Sequence, residues 1–188
     1  MLWVLKQALD GGVKAIQLRE KDLDGKKLFL LAEKVRALCA RYQAALFIND
    51  RIDVARAVGA DGVQLATTSL PIETARELLG ADRMIGASTH SVEEARDAER
   101  RGADFVLFGP VYFTPTKAVY GVPQGLAALK KIVENVALPV YAIGGIKPDN
   151  VGAVVVAGVR GVALISAVMA AIDPKLAAET IQKLLERS

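Results

Sequence analysis

The sequence predicts an α/β protein, a TIM-type (β/α)8 barrel of parallel strands that is short of its first strand. Three observations lead there. One unit repeats along the chain: a short apolar run, a loop, then a helical pattern. The runs are nearly continuous rather than alternating, as in a parallel sheet covered on both faces. Polar residues gather directly after nearly every run: Gln17, Arg19 and Lys21; Asn49 and Asp50; Ser88 and His90; Thr114 to Lys117; Gly144-Gly145; Ser166. An open doubly wound sheet concentrates its chemistry at one switch point, whereas a barrel collects the loops of all strands around one mouth.

Residues 1–12 read as an amphipathic stretch with Lys6 and Asp10 rather than a signal peptide, and 2–9 as helical. In a barrel such a helix should follow a strand. The expectation is a chain that starts further upstream, or a gap that another chain or a rearrangement covers. Residues 13–18 (VKAIQL) are the first strand, and Leu28, Leu31, Val35 and Leu38 recur on one helical face after it. Residues 44–48 (AALFI) are the second strand, with a short helix to about Val58. Strands follow at 62–65, 84–86, 104–108, 139–143 and 161–165. Helices are expected at 71–79, from Ser91, at 125–136 and at 148–157. Ser91-Val92-Glu93-Glu94 is a capping box, and Asp173-Pro174 opens the closing helix with proline at its first position.

The 188 residues fit one domain, and 52% hydrophobic against 24% charged residues excludes disorder as the main state. Cys39 is the only cysteine, so no intrachain disulfide exists and a cytoplasmic setting is expected. No run approaches the roughly 20 apolar residues that span a bilayer. The net charge of +3 is spread among interleaved acids, and only 5% of residues are aromatic, which speaks against nucleic acid as a partner.

Gly144-Gly145 lets the backbone approach an anion, and with the turn at Ser166 it forms the phosphate site that barrels build after their last strands. Two ordinary tight turns would look the same. Gln17, Arg19 and Lys21 alternate, so in extended chain they share one side, and Lys117 adds a cation from a long loop. That cluster suits a diphosphate; surface pairing of Arg19 and Lys21 with Glu20 and Asp22 is the alternative. Asp50 suits Mg2+ or a helix cap. His90 beside Ser91 reads as structural rather than catalytic, and Cys39 as packing.

Taken together, Gln17-Leu18-Arg19-Glu20-Lys21, Ile48-Asn49-Asp50-Arg51, Gly59-Ala60-Asp61-Gly62-Val63, Ser88-Thr89-His90, Gly109-Pro110-Val111, Thr114-Pro115-Thr116-Lys117 and Ala142-Ile143-Gly144-Gly145-Ile146 resemble the thiamine phosphate synthase/TenI family, from about residue 11 to 170. The resemblance implies a (β/α)8 barrel that joins hydroxymethylpyrimidine diphosphate to thiazole phosphate and releases diphosphate. It implies that Gln17, Arg19, Lys21, Asn49 and Lys117 hold the diphosphate, Asp50 binds Mg2+ and Ser88 faces the pyrimidine. Thr114, Thr116, Gly145, Ile165 and Ser166 would receive the thiazole phosphate.

Three departures stand out. Ser69 occupies the place of a second metal-binding aspartate, in a stretch Gln64-Leu65-Ala66-Thr67-Thr68-Ser69 that also lacks the family's usual histidine. The family's first strand is absent. Pro110 stands where the thiazole tautomerase branch has histidine. A metal-independent tautomerase and a catalytically weak phosphate-ligand-binding barrel are therefore the alternatives to the synthase, and a barrel with an uncovered gap has reason to form homo-oligomers.

Overall fold

The computed structural model describes residues 1–114 and 122–186. Seven parallel strands form one sheet in sequential order: β1 Ala15–Leu18, β2 Ala45–Asn49, β3 Gly62–Leu65, β4 Met84–Thr89, β5 Phe105–Phe108, β6 Val140–Ile143 and β7 Gly161–Ala163. Each strand begins where the apolar pattern predicts, to within two residues. The helices are α1 Leu2–Asp10, α2 Gly25–Arg41, α3 Ile52–Ala57, α4 Ile72–Leu79, α5 Val92–Arg100, α6 Gly125–Val133, α7 Val151–Val156, α8 Ser166–Met169 and α9 Pro174–Glu186.

Curling of the sheet follows from its aromatic contacts. Phe47 on β2 meets Phe105 on β5 edge-to-face at 5.3 Å between centroids, and Phe105 meets Tyr141 on β6 at 5.6 Å. β2 and β5 are not neighbours in the sheet, so these rings can touch only across a concave face. Glycines make room for them. A Cβ at Gly62 would overlap the Phe47 ring, and one at Gly86 would overlap Phe105. The opposite face carries Ile16, Leu18, Leu46, Ile48, Val63, Ile85, Val106 and Ala142, all buried. Helix α2 lays Leu28, Ala32, Val35 and Cys39 into the core; Leu31 and Leu38, expected on that face, are only half-buried at its margin.

The sheet is a curled half-barrel, with β1 and β7 as its two edges. The helical layer nevertheless continues past them: α1 packs on α9, α8 and α2. It takes the place of the helix that would follow a strand between β7 and β1, and its Leu5, Ala8 and Leu9 are buried. No helix among the described residues is long and apolar enough to cross a membrane.

Several boundaries differ from expectation. β4 runs on to Thr89 instead of stopping at Gly86, because Ala87, Ser88 and Thr89 pair with Val106, Leu107 and Phe108. β7 stops at Ala163, and Leu164 and Ile165 turn into α8. α6 ends at Val133. α7 starts at Val151 rather than Pro148, since Asn150 uses its side chain on the preceding turn: Oδ1 accepts Lys147 N–H at 2.8 Å. The capping box is also modified. Ser91 Oγ accepts Glu94 N–H at 3.1 Å, but the Glu94 carboxylate reaches back to His90, to its N–H at 2.7 Å and its Nδ1 at 3.0 Å. His90 is thereby part of a helix start, the structural role expected of it.

Candidate active site

Because every strand runs in the same direction, all seven finish on one rim. The sequence-derived site residues that the structure describes lie there. Gln17 is the third residue of β1 and Asn49 the last of β2; both share the concave side with Phe47, and Gln17 Nε2 donates to Asn49 Oδ1 at 3.0 Å. Gln64 pairs in register with Asn49, and Ser88 follows on β4. A polar band thus crosses four neighbouring strands near their ends.

Arg19 and Lys21 follow β1. The strand stops at Leu18, and residues 21–23 bend, so strand alternation does not carry the common direction expected for these two side chains. Both are exposed, and neither forms an ion pair among the described residues. The alternative of pairing with Glu20 and Asp22 is not what the chain adopts.

Asp50 departs most from ordinary geometry. Its φ of 67° is in the left-handed region, which a side chain bearing a Cβ enters only at a cost. The Arg51 N–H donates to Asn49 O at 2.7 Å, closing a three-residue turn around Asp50, while Asp50 N–H is held by Gln64 O at 3.0 Å. The helix-cap alternative fails: α3 has no side-chain cap, and the Asp50 carboxylate is exposed with no hydrogen bond among the described residues. Its neighbour Arg51 grips Asp53 through Nε at 2.9 Å and Nη2 at 2.6 Å. Those bonds first, and the charge of Asp50 besides, hold the Arg51 guanidinium above its usual pKa.

Across the rim, Gly144 and Gly145 both have positive φ, 99° and 66°. A Cβ on Gly144 would come within 2.6 Å of Pro110, and one on Gly145 within 2.7 Å of Tyr112 and the Phe113 carbonyl, so no other residue fits. The carbonyls of this loop are already occupied: Gly144 O accepts Tyr112 N–H at 3.0 Å, and Gly145 O accepts Asn150 Nδ2 at 3.0 Å. What the loop has left to offer a ligand is its N–H donors. Register places Ile143 beside Ala163, so this loop adjoins Ile165 and Ser166, both exposed at the start of α8. Thr114 closes the described part of the loop after β5; Thr116 and Lys117 lie outside the described residues.

Among the described residues no group of three or more His, Cys, Asp or Glu could hold a metal. Ser69 Oγ accepts Ala66 N–H at 2.8 Å and so closes its own turn. Cys39 is fully buried, and burial pushes its thiol up to about 11, so it is inert at neutral pH. Gln64 is a rim residue that the sequence motifs do not single out. Its signal is a glutamine inside an otherwise apolar strand, repeating the pattern of Gln17.

The class defined by this arrangement is a β/α half-barrel that carries cations, an uncommitted carboxylate and a glycine loop on the rim where its strands finish. The chain belongs to the thiamine monophosphate synthase family, whose model matches residues 1–168. It is 48% identical over 182 residues to the thiamine-phosphate synthase of Pyrococcus abyssi, spanning 97% of this chain and 87% of that protein. To the thiamine-phosphate synthase of Clostridium novyi it is 42% identical over 177 residues, 94% of this chain and 87% of that one. The solved thiamine phosphate pyrophosphorylase from Pyrococcus furiosus superposes with a TM-score of 0.92 at 45% identity, over 99% of this chain and 89% of that structure. A 3-hexulose-6-phosphate synthase at 21% identity and TM-score 0.71 shares the fold alone.

Proposed function

We propose that this chain is a thiamine phosphate synthase, joining hydroxymethylpyrimidine diphosphate to thiazole phosphate with release of diphosphate. The observation that carries the reading is one rim where, among the described residues, Arg19 and Lys21 are unpaired, the Asp50 carboxylate is unbonded and a glycine loop has donors to spare. Family membership supports it. The ligands are phosphorylated small molecules, and a lone buried cysteine fits a cytoplasmic setting.

In this reading Gln17, Arg19, Lys21 and Asn49 hold the diphosphate and Ser88 faces the pyrimidine. Thr114, Gly144, Gly145, Ile165 and Ser166 receive the thiazole phosphate. Thr116 and Lys117 join them on resemblance alone. The bond from the pyrimidine methylene to the diphosphate oxygen breaks, and its electron pair leaves with the diphosphate. Arg19 and Lys21 stabilise that growing charge in place of water. The thiazole nitrogen gives its lone pair to the methylene carbon, so no side-chain nucleophile is needed.

Mg2+ takes one or two carboxylates together with substrate phosphates and waters. A single exposed carboxylate without other commitments fits that donor set, and Asp50 would hold the ion, which when bound neutralises charge on the departing diphosphate. The two unpaired sheet edges, with exposed Trp3, Ile165, Ile172 and Leu176 on the elements flanking them, give the chain reason to self-associate.

The test is Mg2+-dependent diphosphate release from the two substrates. Release that Arg19→Ala weakens in kcat/KM, with the melting temperature unchanged, supports the reading. Ligand binding without turnover assigns the chain to the weak phosphate-ligand-binding alternative, and metal-free isomerisation of thiazole carboxylate phosphate to the tautomerase.

A further inference from the structure

We propose that Gln64 is a positioning residue that turns the Ser88 hydroxyl into a fixed hydrogen-bond donor, so that the mouth selects a ring with an unprotonated nitrogen facing β4. The inference rests on the reading of Ser88 as the group that meets the ligand's ring.

Gln64 is only 2% exposed, and the N–H groups of a buried amide must find acceptors. Its Nε2 donates to Ser88 Oγ at 3.0 Å and lies 3.5 Å from the Leu65 carbonyl oxygen. A carbonyl only accepts, so the nitrogen belongs on that side of the amide. Ser88 Oγ therefore accepts, and its own proton remains to be given. That proton has no acceptor among the described residues, and Ser88 is half-buried on the concave side. Gly86 completes the device: a Cβ there would overlap Gln64 Oε1, so only glycine leaves room for the amide.

The same arrangement stands two strands earlier. Gln17 and Gln64 are each the third residue of a four-residue strand, and each donates Nε2 to a polar side chain on the next strand at 3.0 Å. The recipients differ in what they leave for a ligand. Asn49, accepting through Oδ1, leaves two amide protons; Ser88 leaves one hydroxyl proton.

The readout is the ratio of two dissociation constants, for hydroxymethylpyrimidine diphosphate and for inorganic diphosphate, on the full chain by calorimetry. Gln64→Glu offers Ser88 only an acceptor, so the hydroxyl turns away from the ring. The preference for the ring-bearing ligand should fall about tenfold, as in Ser88→Ala. Any added repulsion of phosphate acts on both ligands and cancels in the ratio. In the Ser88→Ala background Gln64→Glu should change the ratio no further. Gln64→His, which keeps an N–H donor, should restore most of the preference, and Gln64→Met serves if Gln64→Glu fails to fold. Normal inorganic diphosphate binding with an unmoved ratio in the Gln64 variants overturns the proposal and leaves the site reading standing. Failure of the unmodified chain to bind either ligand overturns both.

Discussion

Where the strands begin, Asp61 and Asp104 are paired and tied to backbone; where they finish, Arg19, Lys21 and Asp50 stand without partners among the described residues. Asp61 accepts the Leu46 N–H at 2.7 Å and pairs with Arg36 of α2. Two strands on, Asp104 accepts the Ile85 N–H at 2.6 Å and pairs with Arg76 of α4. The same Gly-Ala-Asp triplet, at 59–61 and 102–104, supplies both carboxylates. Before β7 the corresponding place holds Arg160, whose N–H simply continues the ladder to Val140 O. Among the described residues at the finishing rim, Arg19 and Lys21 lack ion pairs and Asp50 is strained and unbonded. The difference separates charges that fold the chain from charges left uncommitted, which the proposed function assigns to a ligand. One set should respond to substitution in stability, the other in chemistry.

The largest effect is expected at Asp50. Asp50→Gly removes the carboxylate and relieves a φ that glycine adopts freely. Diphosphate release should fall by about 10²-fold or more, the scale of losing one group that stabilises transition-state charge. Stability should rise at the same time, by up to about 1 kcal/mol, from relief of backbone strain. Steady-state assay and thermal melting on the same preparation check both. A variant that loses stability and keeps its activity would make Asp50 a structural residue and erase the contrast.

The converse belongs to Asp104. Asp104→Ala leaves the N–H of fully buried Ile85 without an acceptor, at a cost of about 1–3 kcal/mol. The half-exposed ion pair with Arg76 adds little to that. The melting temperature should drop by about 2–12 °C, while the affinity for inorganic diphosphate stays as it was. A shift in affinity beyond threefold would mean that the two ends are coupled through β4 and β5.

Much of this division is legible in the order of residues alone. Apolar runs mark all seven strands, and polar residues after them mark the rim, because both signals are local. β4 outruns its apolar signal because Ala87 and Ser88 have little intrinsic preference for a strand. They extend because β5 offers Val106, Leu107 and Phe108 as ladder partners, which is tertiary information. The positive φ of Asp50 leaves no mark in the sequence beyond a residue type that tolerates it. The Gln64–Ser88 bond joins positions 24 apart, a pairing no periodicity announces. Asp61 reads in the sequence only as part of a motif; its recurrence at Asp104 is the signal that points to a shared structural task.

A smaller effect separates surface charges by pH. Arg101 first of all holds the Glu73 carboxyl below its ordinary value, Arg51 does so for Asp53 and Arg100 for Asp97. A carboxyl whose folded pKa is depressed contributes stability that is complete above its unfolded value, about 4, and is lost as pH falls through the folded one. The melting temperature should therefore be level from neutral pH to about 5 and decline below about 4. Glu73→Gln should shallow that decline, because it removes one titrating group and its two bonds to Arg101, at 2.8 and 2.9 Å. A decline that begins above pH 6 would have to come from groups other than these.

The smallest effect tests how far the rim can be improved. Ser69 follows β3, whose Gln64 carbonyl already holds the Asp50 N–H, so the two loops start from adjacent strand ends. Ser69 Oγ accepts the Ala66 N–H, a bond that one oxygen of an aspartate can make equally well. Ser69→Asp should leave the turn intact and bring a second hard oxygen anion to the rim. If Asp50 holds the ion largely alone, the Mg2+ concentration for half-maximal diphosphate release should fall about three- to tenfold, the worth of roughly 1 kcal/mol. Release from Mg2+-saturated enzyme should change little, since the charge on the leaving diphosphate is then already met. An unchanged Mg2+ requirement would place the loop after β3 outside the ion's reach and leave Asp50 as the protein's whole contribution to it.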